Sequence, residues 1–211
     1  MDWIVSAGLL ISTLLLFKIR KISDSVGIIA FQSALLAAVA AIMWYRTGIG
    51  HLLVAAGMIF AVKTIFIPAI LYYTLRKTDS RQVVERSSSP HVSLLWATLL
   101  VVAGHYVAGE LKLPGTVYGE YYLSTSIVLI FLGTFTMIEH KEAITQAIGL
   151  IVIENGLFLI TQSISYGMPL IVELGILFDL LVSAAIIAGL AFRIHSSFAS
   201  LDTGKMQNLK G

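Results

Sequence analysis

Four charged side chains lie within long apolar stretches of this 211-residue sequence, where they could carry protons: Lys63, Glu154, Glu173 and Asp179. Glu154 and Asn155 are adjacent in the middle of the stretch IGLIVIENGLFLITQ. An acid at the centre of a membrane helix costs about 2.5–3.5 kcal/mol even on the insertion scale. Acids and lysines that persist at such positions commonly belong to ion or proton paths. We therefore predict these four residues as proton-transfer residues.

Each of the four also has a structural alternative. Glu154 could be held by neighbouring helices for assembly alone, and Lys63 could pair with an acid on another helix. Glu173 lies near one end of its predicted helix, so water at the membrane interface could solvate it. Asp179 lies at mid-membrane on a stripe of small and polar residues that a neighbouring helix could approach closely. The uncharged Gln32, Asn155 and Gln162 are expected to bridge helices by hydrogen bonds.

The composition is that of an integral membrane protein. Hydrophobic residues make up 57% of the chain, charged residues only 12%, and the mean hydropathy is +0.89. A soluble domain has about 25% charged residues. The basic residues lie in short loops beside apolar runs, which disfavours nucleic-acid binding and indicates the lipid bilayer as the surroundings.

The sequence contains no group of residues that could carry out substrate chemistry alone. There is no phosphate-binding glycine loop, no nucleophile beside a base and no metal-ligand cluster. Because the chain has no cysteine, it cannot supply thiolate ligands to a metal or an iron–sulfur cluster. We predict a non-catalytic protein with neither a catalytic nor a metal site.

The hydropathy pattern predicts an all-α integral membrane fold of about seven transmembrane helices, over residues 3–17, 25–45, 49–75, 91–108, 121–139, 144–164 and 168–192. Of the 14 lysines and arginines, Lys63 is intramembrane, Arg46 and Lys112 lie on one side, and the remaining eleven lie on the other. By the positive-inside rule, the N-terminus is expected outside and the C-terminus in the cytoplasm.

Two pairs of segments resemble each other along the chain. VGIIAFQSALL from Val26 aligns with IGLIVIENGLF from Ile148, and LLVAAGMIF from Leu52 aligns with LIVELGILF from Leu170. These matches predict two parallel three-helix repeats joined by one helix. The predicted division is a first unit, a region of cytoplasmic loop, linking helix and outer loop, a second unit and a cytoplasmic tail, at residues 1–75, 76–120, 121–195 and 196–211.

Three segments carry a resemblance to a known family: the ENG triplet at 154–156, the VELGI-x-x-D run ending at Asp179, and the segment from Lys63 to Pro68. They resemble hydrogenase-4 component E, a membrane subunit of group 4 nickel–iron hydrogenase and formate hydrogenlyase complexes. The two acid-bearing helices are similar to the small K subunit of bacterial complex I and to the C-type subunit of multisubunit sodium/proton antiporters. The second three-helix unit is the part most similar to that K subunit.

The resemblance implies a non-catalytic subunit of a complex I-like, redox-driven ion-translocating complex in the cytoplasmic membrane of a bacterium or archaeon. It implies antiporter-like membrane subunits and peripheral hydrogenase and iron–sulfur subunits as partners. Those partners would hold the nickel–iron centre and the iron–sulfur clusters, and this chain would hold no cofactor. The resemblance assigns Glu154 to the proton path directly. Asp179 is shorter than the second glutamate of the K subunit and displaced by about a turn, so its assignment is weaker.

Two rival functions are compatible with the same residues. A stand-alone proton-coupled cation transporter would use Glu154 and Asp179 to exchange protons for a cation, and would form an active homo-oligomer with a solute-sized cavity. A structural anchor or haem-bearing subunit is the other, with His51 and His105 as a conceivable ligand pair.

Overall fold

The computed structural model describes residues 2–77, 87–111 and 120–165, together with nine helical residues between positions 177 and 192. These residues confirm the predicted all-α fold, since they contain helices and no β-strand. Up to residue 165 they form seven α-helices and one π-helix. The order is α1 (Asp2–Leu16), α2 (Ile22–Thr47), α3 (Gly50–Ile59), the π-helix (Phe60–Phe66), α4 (Ile67–Lys77), α5 (Pro90–Glu110), α6 (Glu120–Glu139) and α7 (Ala143–Ser165).

Five helical segments of the described chain are long and apolar enough to cross a membrane: Ile22–Thr47, Leu52–Arg76, Pro90–Glu110, Tyr121–Glu139 and Ala143–Thr161. The second of these runs without interruption through α3, the π-helix and α4, as the predicted single span over 49–75 requires. The first helix, α1, is a shorter apolar helix of 15 residues. The count of seven spans stays a prediction, because most of the predicted span 168–192 lies outside the described residues.

Helix α2 has the most neighbours in the described bundle. It packs against α1, α3, the π-helix, α4 and α7. Its fully buried apolar side chains join the main hydrophobic core with residues from those helices; they include Val26, Ile29, Leu36, Val39 and Ala40. Because these neighbours cover one side of α2, its polar residues Gln32 and Ser33 are completely buried as well. The polar side chains of Gln32 and Ser33 therefore lie inside the protein, among the helices that pack against this part of α2.

Helices α6 and α7 form an antiparallel hairpin whose axes approach closely at glycines. A Cβ atom at Gly133 would lie 2.8 Å from the carbonyl oxygen of Gly149, and one at Gly156 would lie 2.8 Å from that of Ser126. Small residues allow backbones of membrane helices to approach in this way. The hairpin fixes the axial position of α7 against α6, and with it the depth of Glu154.

The predicted division into two three-helix units stays a prediction, because the last predicted helix is described at nine positions only. Four of these are buried: Leu177, Leu180, Ala184 and Ala188. Their spacing of three, four and four residues places them on one helix face. Leu180 belongs to the main hydrophobic core, so this segment joins the same bundle as the earlier helices.

Candidate proton-transfer site

Lys63 and Glu154 form an ion pair inside the bundle, between the Nζ atom of the lysine and Oε2 of the glutamate. The Lys63 side chain is 1% exposed and that of Glu154 is 10% exposed. Glu154 lies eleven residues after the first residue of α7, which is roughly 16 Å along the helix axis. Two of the four predicted proton-transfer residues therefore meet deep within the protein. This is the pairing that the sequence left open as a structural alternative for Lys63.

The π-helix determines where Lys63 lies. The Ile67 N–H donates to the carbonyl oxygen of Val62, five residues earlier, in place of the α-helical interval of four. Pro68 follows directly, and it has no N–H with which to continue the α-helical pattern. Short π-helical segments within α-helices are rare and occur frequently at functional sites. Pro68 is the one signal in the sequence that could have indicated this irregularity.

The ion pair as a whole is neutral, which explains how both charges are kept in an apolar bundle. Removing one partner of a buried pair typically costs about 3–5 kcal/mol, because the other charge is left without compensation. The pair can gain one proton at Glu154 or lose one at Lys63, and either change leaves one net charge.

A chain of hydrogen bonds beside the pair connects three helices. The side-chain amide Nδ2 of Asn155 on α7 donates to Oε1 of Gln32 on α2 at 2.9 Å. Nε2 of Gln32 then donates to Oγ1 of Thr13 on α1 at 2.7 Å, and the Thr13 hydroxyl donates to the Leu9 carbonyl at 2.8 Å. Asn155, Gln32 and Thr13 are completely buried. The prediction that Gln32 and Asn155 bridge helices is confirmed.

Several buried oxygen atoms in these helices have no hydrogen-bond partner among the described residues. They include Oδ1 of Asn155, Oγ of Ser33, Oγ1 of Thr64 and Oγ of Ser6. An unsatisfied buried polar group costs about 1–3 kcal/mol, and in native proteins such groups are usually bonded by internal water. Ser33 and Thr64 directly follow Gln32 and Lys63 in the sequence, so acceptors suited to internal water occur on each helix that builds the site.

A second polar cluster lies at the turn between α6 and α7. Glu139 is buried, and its Oε1 accepts hydrogen bonds from the Ser88 N–H and the Ser93 hydroxyl, both at 2.8 Å. His140 and Glu142 in the turn are buried too. Because a carboxylate is favourable near a helix N-terminus, Glu139 attaches the start of α5 to the hairpin. This cluster was not predicted from the sequence, since a short charged turn normally indicates a solvated loop.

Not all of the predicted residues lie within the described part of the chain. Glu173 and Asp179 lie outside the described residues, so their proton-transfer roles stay predictions. Of the conceivable haem ligands, His105 is exposed and its Nδ1 lies 2.9 Å from the Val101 carbonyl of its own helix. The side chain of His51 is outside the part of the chain that the structure describes. Within the described ranges, no three His, Cys, Asp or Glu residues come together in a way that could hold a metal ion.

The sequence can be compared with known proteins along almost its whole length. It is 25% identical over 206 residues to the protein named Hydrogenase-4 component E in Escherichia coli K12, covering 97% of this chain and 95% of that protein. The chain is similar to hydrogenase-4 component E. The predicted resemblance is thereby confirmed, and it covers almost the whole chain.

Two further relatives show the same extent of similarity. Hydrogenase-4 component E of Shigella flexneri is 25% identical over 206 residues, with the same coverage of both chains. A Mycobacterium tuberculosis protein named Uncharacterized protein Rv0085 is 26% identical over 213 residues, covering 97% of this chain and 94% of the relative. No protein-family model matches the chain, and no solved structure matches it.

Proposed function

We propose that this chain is a membrane subunit of a hydrogenase complex of the complex I-like, ion-translocating type, and that it transfers protons through Glu154. The similarity to hydrogenase-4 component E over 97% of the chain supports the first part. The buried Lys63–Glu154 pair is the observation that carries the second. We propose a non-catalytic subunit. Because the chain has no cysteine, thiolate ligands for a nickel–iron centre or iron–sulfur clusters would come from partner subunits.

Proton transfer at the site follows from the charges of the pair. A proton that reaches Glu154 converts its carboxylate to a carboxylic acid, and the ammonium group of Lys63 is then no longer neutralised. The site returns to neutrality when Lys63 or Glu154 releases a proton to the next group. Redox reactions in partner subunits change the charge near the membrane-embedded part of the complex, and this change drives the Lys63–Glu154 pair between its two protonation states. Asp179 and Glu173 would be further groups along the path.

The chemistry of the pair favours a proton over sodium as the transported ion. A sodium ion needs several oxygen ligands, whereas Glu154 has an ammonium group against its carboxylate, which repels a second cation. The chain would lie in the cytoplasmic membrane with its N-terminus outside. Its partners would be antiporter-like membrane subunits and peripheral hydrogenase and iron–sulfur subunits.

Membership of such a complex is tested by affinity purification of the full chain from native membranes. The chain is tagged at its C-terminus and extracted with a mild detergent, and the co-purifying proteins are identified and quantified. We expect hydrogenase and antiporter-like subunits at fixed stoichiometry. An isolated homo-oligomer of this chain would contradict the proposal and favour the stand-alone cation transporter.

A further inference from the structure

One face of α1 carries polar residues that begin at a partly exposed end of the bundle and continue into its interior. Asp2, Ser6 and Thr13 are separated by four and seven residues, which places them within roughly 40° of one another around the helix. Ser6 is 5% exposed and Thr13 is fully buried. Helix α1 packs against both α2 and α6, so this polar stripe of Asp2, Ser6 and Thr13 lies in an interface between helices.

The two ends of the polar stripe meet different surroundings. At one end, Asp2 accepts a hydrogen bond from Arg46 at 2.8 Å, and both side chains remain partly exposed. At the other end, Thr13 accepts from Gln32, which accepts from Asn155, the neighbour of Glu154 in α7. The stripe covers eleven residue steps of α1, or roughly 16 Å. Through Gln32, the polar stripe therefore connects a partly exposed end of the bundle to Asn155, the residue beside Glu154.

Groups along this line have hydrogen-bonding capacity that no described residue uses. The hydroxyl oxygen of Ser6 and Oδ1 of Asn155 are buried, and neither has a partner within the described ranges. Internal waters bind to such groups in proteins, usually with about three hydrogen bonds each. The amides of Gln32 and Asn155 would hold these waters in line, while hydroxyl groups and waters carry the proton. At each hop one O–H bond breaks as another forms, so no atom other than hydrogen moves.

We propose that the polar stripe of α1, with Gln32 and Asn155, is the route by which Glu154 exchanges protons with the membrane face at which Asp2 lies. This inference rests on the proposed function of Glu154. It assigns Ser6 and Thr13 to the path, and it makes Gln32 and Asn155 positioning residues. It also assigns the path to one membrane face, because Glu154 exchanges protons with the Asp2 face through α1.

The test measures which aqueous phase controls the protonation of Glu154. Dicyclohexylcarbodiimide reacts with protonated carboxyl groups, so the rate at which Glu154 is labelled reports its protonation. The intact complex is studied in sealed right-side-out and everted vesicles, and one phase at a time is rapidly acidified. Labelling is quantified by mass spectrometry of the tagged chain, with Glu154→Gln as the blank. A protonophore should abolish any difference between the two sides.

We expect acidification at the Asp2 face to accelerate labelling of the wild-type chain. Ser6→Ala should slow this response by about tenfold or more, the effect of one added barrier of about 1.36 kcal/mol. Ser6→Thr, which keeps the hydroxyl, should respond as wild type does. Because the Ser6 hydroxyl bonds to no described residue, a purely structural role predicts no effect of Ser6→Ala. Thr13→Val, which removes the hydroxyl group, should slow the response as Ser6→Ala does. Thr13→Ser, which keeps the hydroxyl group, should respond as wild type does.

Three results would overturn the inference. Wild-type response rates in both Ser6→Ala and Thr13→Val would exclude the α1 route. The route would also be excluded if labelling of Glu154 accelerated only after acidification of the face opposite Asp2. If wild-type Glu154 is not labelled at any pH, it takes up no proton, and the proposed function fails together with the route. Co-purification of partner subunits with each variant confirms that the complex assembles.

Discussion

The Lys63–Glu154 pair predicts a strong energetic coupling between two residues on different helices. Lys63→Met removes the ammonium group and keeps the length of the side chain, and Glu154→Gln removes the negative charge and keeps the shape. Each single substitution leaves one charge buried without its partner, since the Lys63 and Glu154 side chains are 1% and 10% exposed. The double substitution removes both charges together. We therefore expect the double variant to be more stable than either single variant.

The magnitude follows from the burial of the pair. Breaking a buried pair from one side costs about 3–5 kcal/mol. For a chain of this size each kcal/mol lowers the melting temperature by roughly 2–4 °C. Each single variant should therefore melt roughly 6–20 °C below the wild type, and the double variant should recover most of that loss. The coupling energy of the double-mutant cycle should amount to several kcal/mol.

Thermal unfolding of the purified chain in mild detergent or bicelles measures this coupling. Lys18→Met and Glu110→Gln are matched controls, because both side chains are exposed and surface substitutions usually change stability by less than about 0.5 kcal/mol. Additive losses in the double variant would refute the reasoning. They would show that Lys63 and Glu154 do not stabilise each other and that the pair is not the unit that holds or releases a proton.

Three further substitutions test the packing around the site, each by thermal unfolding and by recovery of the assembled complex. Gly156→Ala should destabilise the α6–α7 hairpin by about 1–3 kcal/mol through overpacking, since its Cβ would lie 2.8 Å from a carbonyl oxygen. The control Gly57→Ala should be neutral or stabilising, because a Cβ atom there meets nothing within 4 Å. Equal effects of the two substitutions would refute the close approach of α6 and α7. Glu139→Ala should cost about 1–3 kcal/mol because it leaves buried donors unsatisfied, and a loss no larger than that of Glu110→Ala would contradict this. Gln32→Leu should cost only about 1 kcal/mol, the scale of two interhelical hydrogen bonds in a membrane, and complete loss of folding would contradict that.

The helices themselves could be predicted closely from the sequence. The predicted spans 121–139 and 144–164 correspond to α6 (Glu120–Glu139) and α7 (Ala143–Ser165). Apolar length and turn residues determine these limits, and both can be read locally. Hydropathy cannot distinguish a π-helical segment from an α-helical one, because the two differ only in which carbonyl each N–H reaches. The π-helix at Lys63 was therefore not predicted.

Individual members of the site could be predicted, whereas their contacts could not. Lys63 and Glu154 were selected because a charge in an apolar run requires compensation. Their pairing depends on how helices 91 residues apart in the sequence are rotated against each other, and no local pattern encodes that rotation. The same limit applies to the bond between Thr13 and Gln32.

The buried turn of His140 and Glu142 shows a different limit of sequence reasoning. Charged residues in a short loop normally indicate solvent exposure. Here the carboxylate of Glu139, at the edge of this turn, is covered because Ser88 and Ser93 at the start of α5 fold against the hairpin. The burial of Glu139 is a tertiary effect produced by a segment more than 40 residues earlier in the sequence.

Proton translocation by a complex that carries Glu154→Gln tests the central claim most directly. Everted membrane vesicles containing the assembled complex are supplied with its redox substrates, and proton uptake and hydrogen turnover are recorded together. Glu110→Gln serves as the exposed control. We predict that Glu154→Gln retains its partner subunits and its hydrogen turnover while the number of protons translocated per hydrogen falls by about tenfold or more. An unchanged ratio in an assembled, active complex would contradict the claim that Glu154 carries protons.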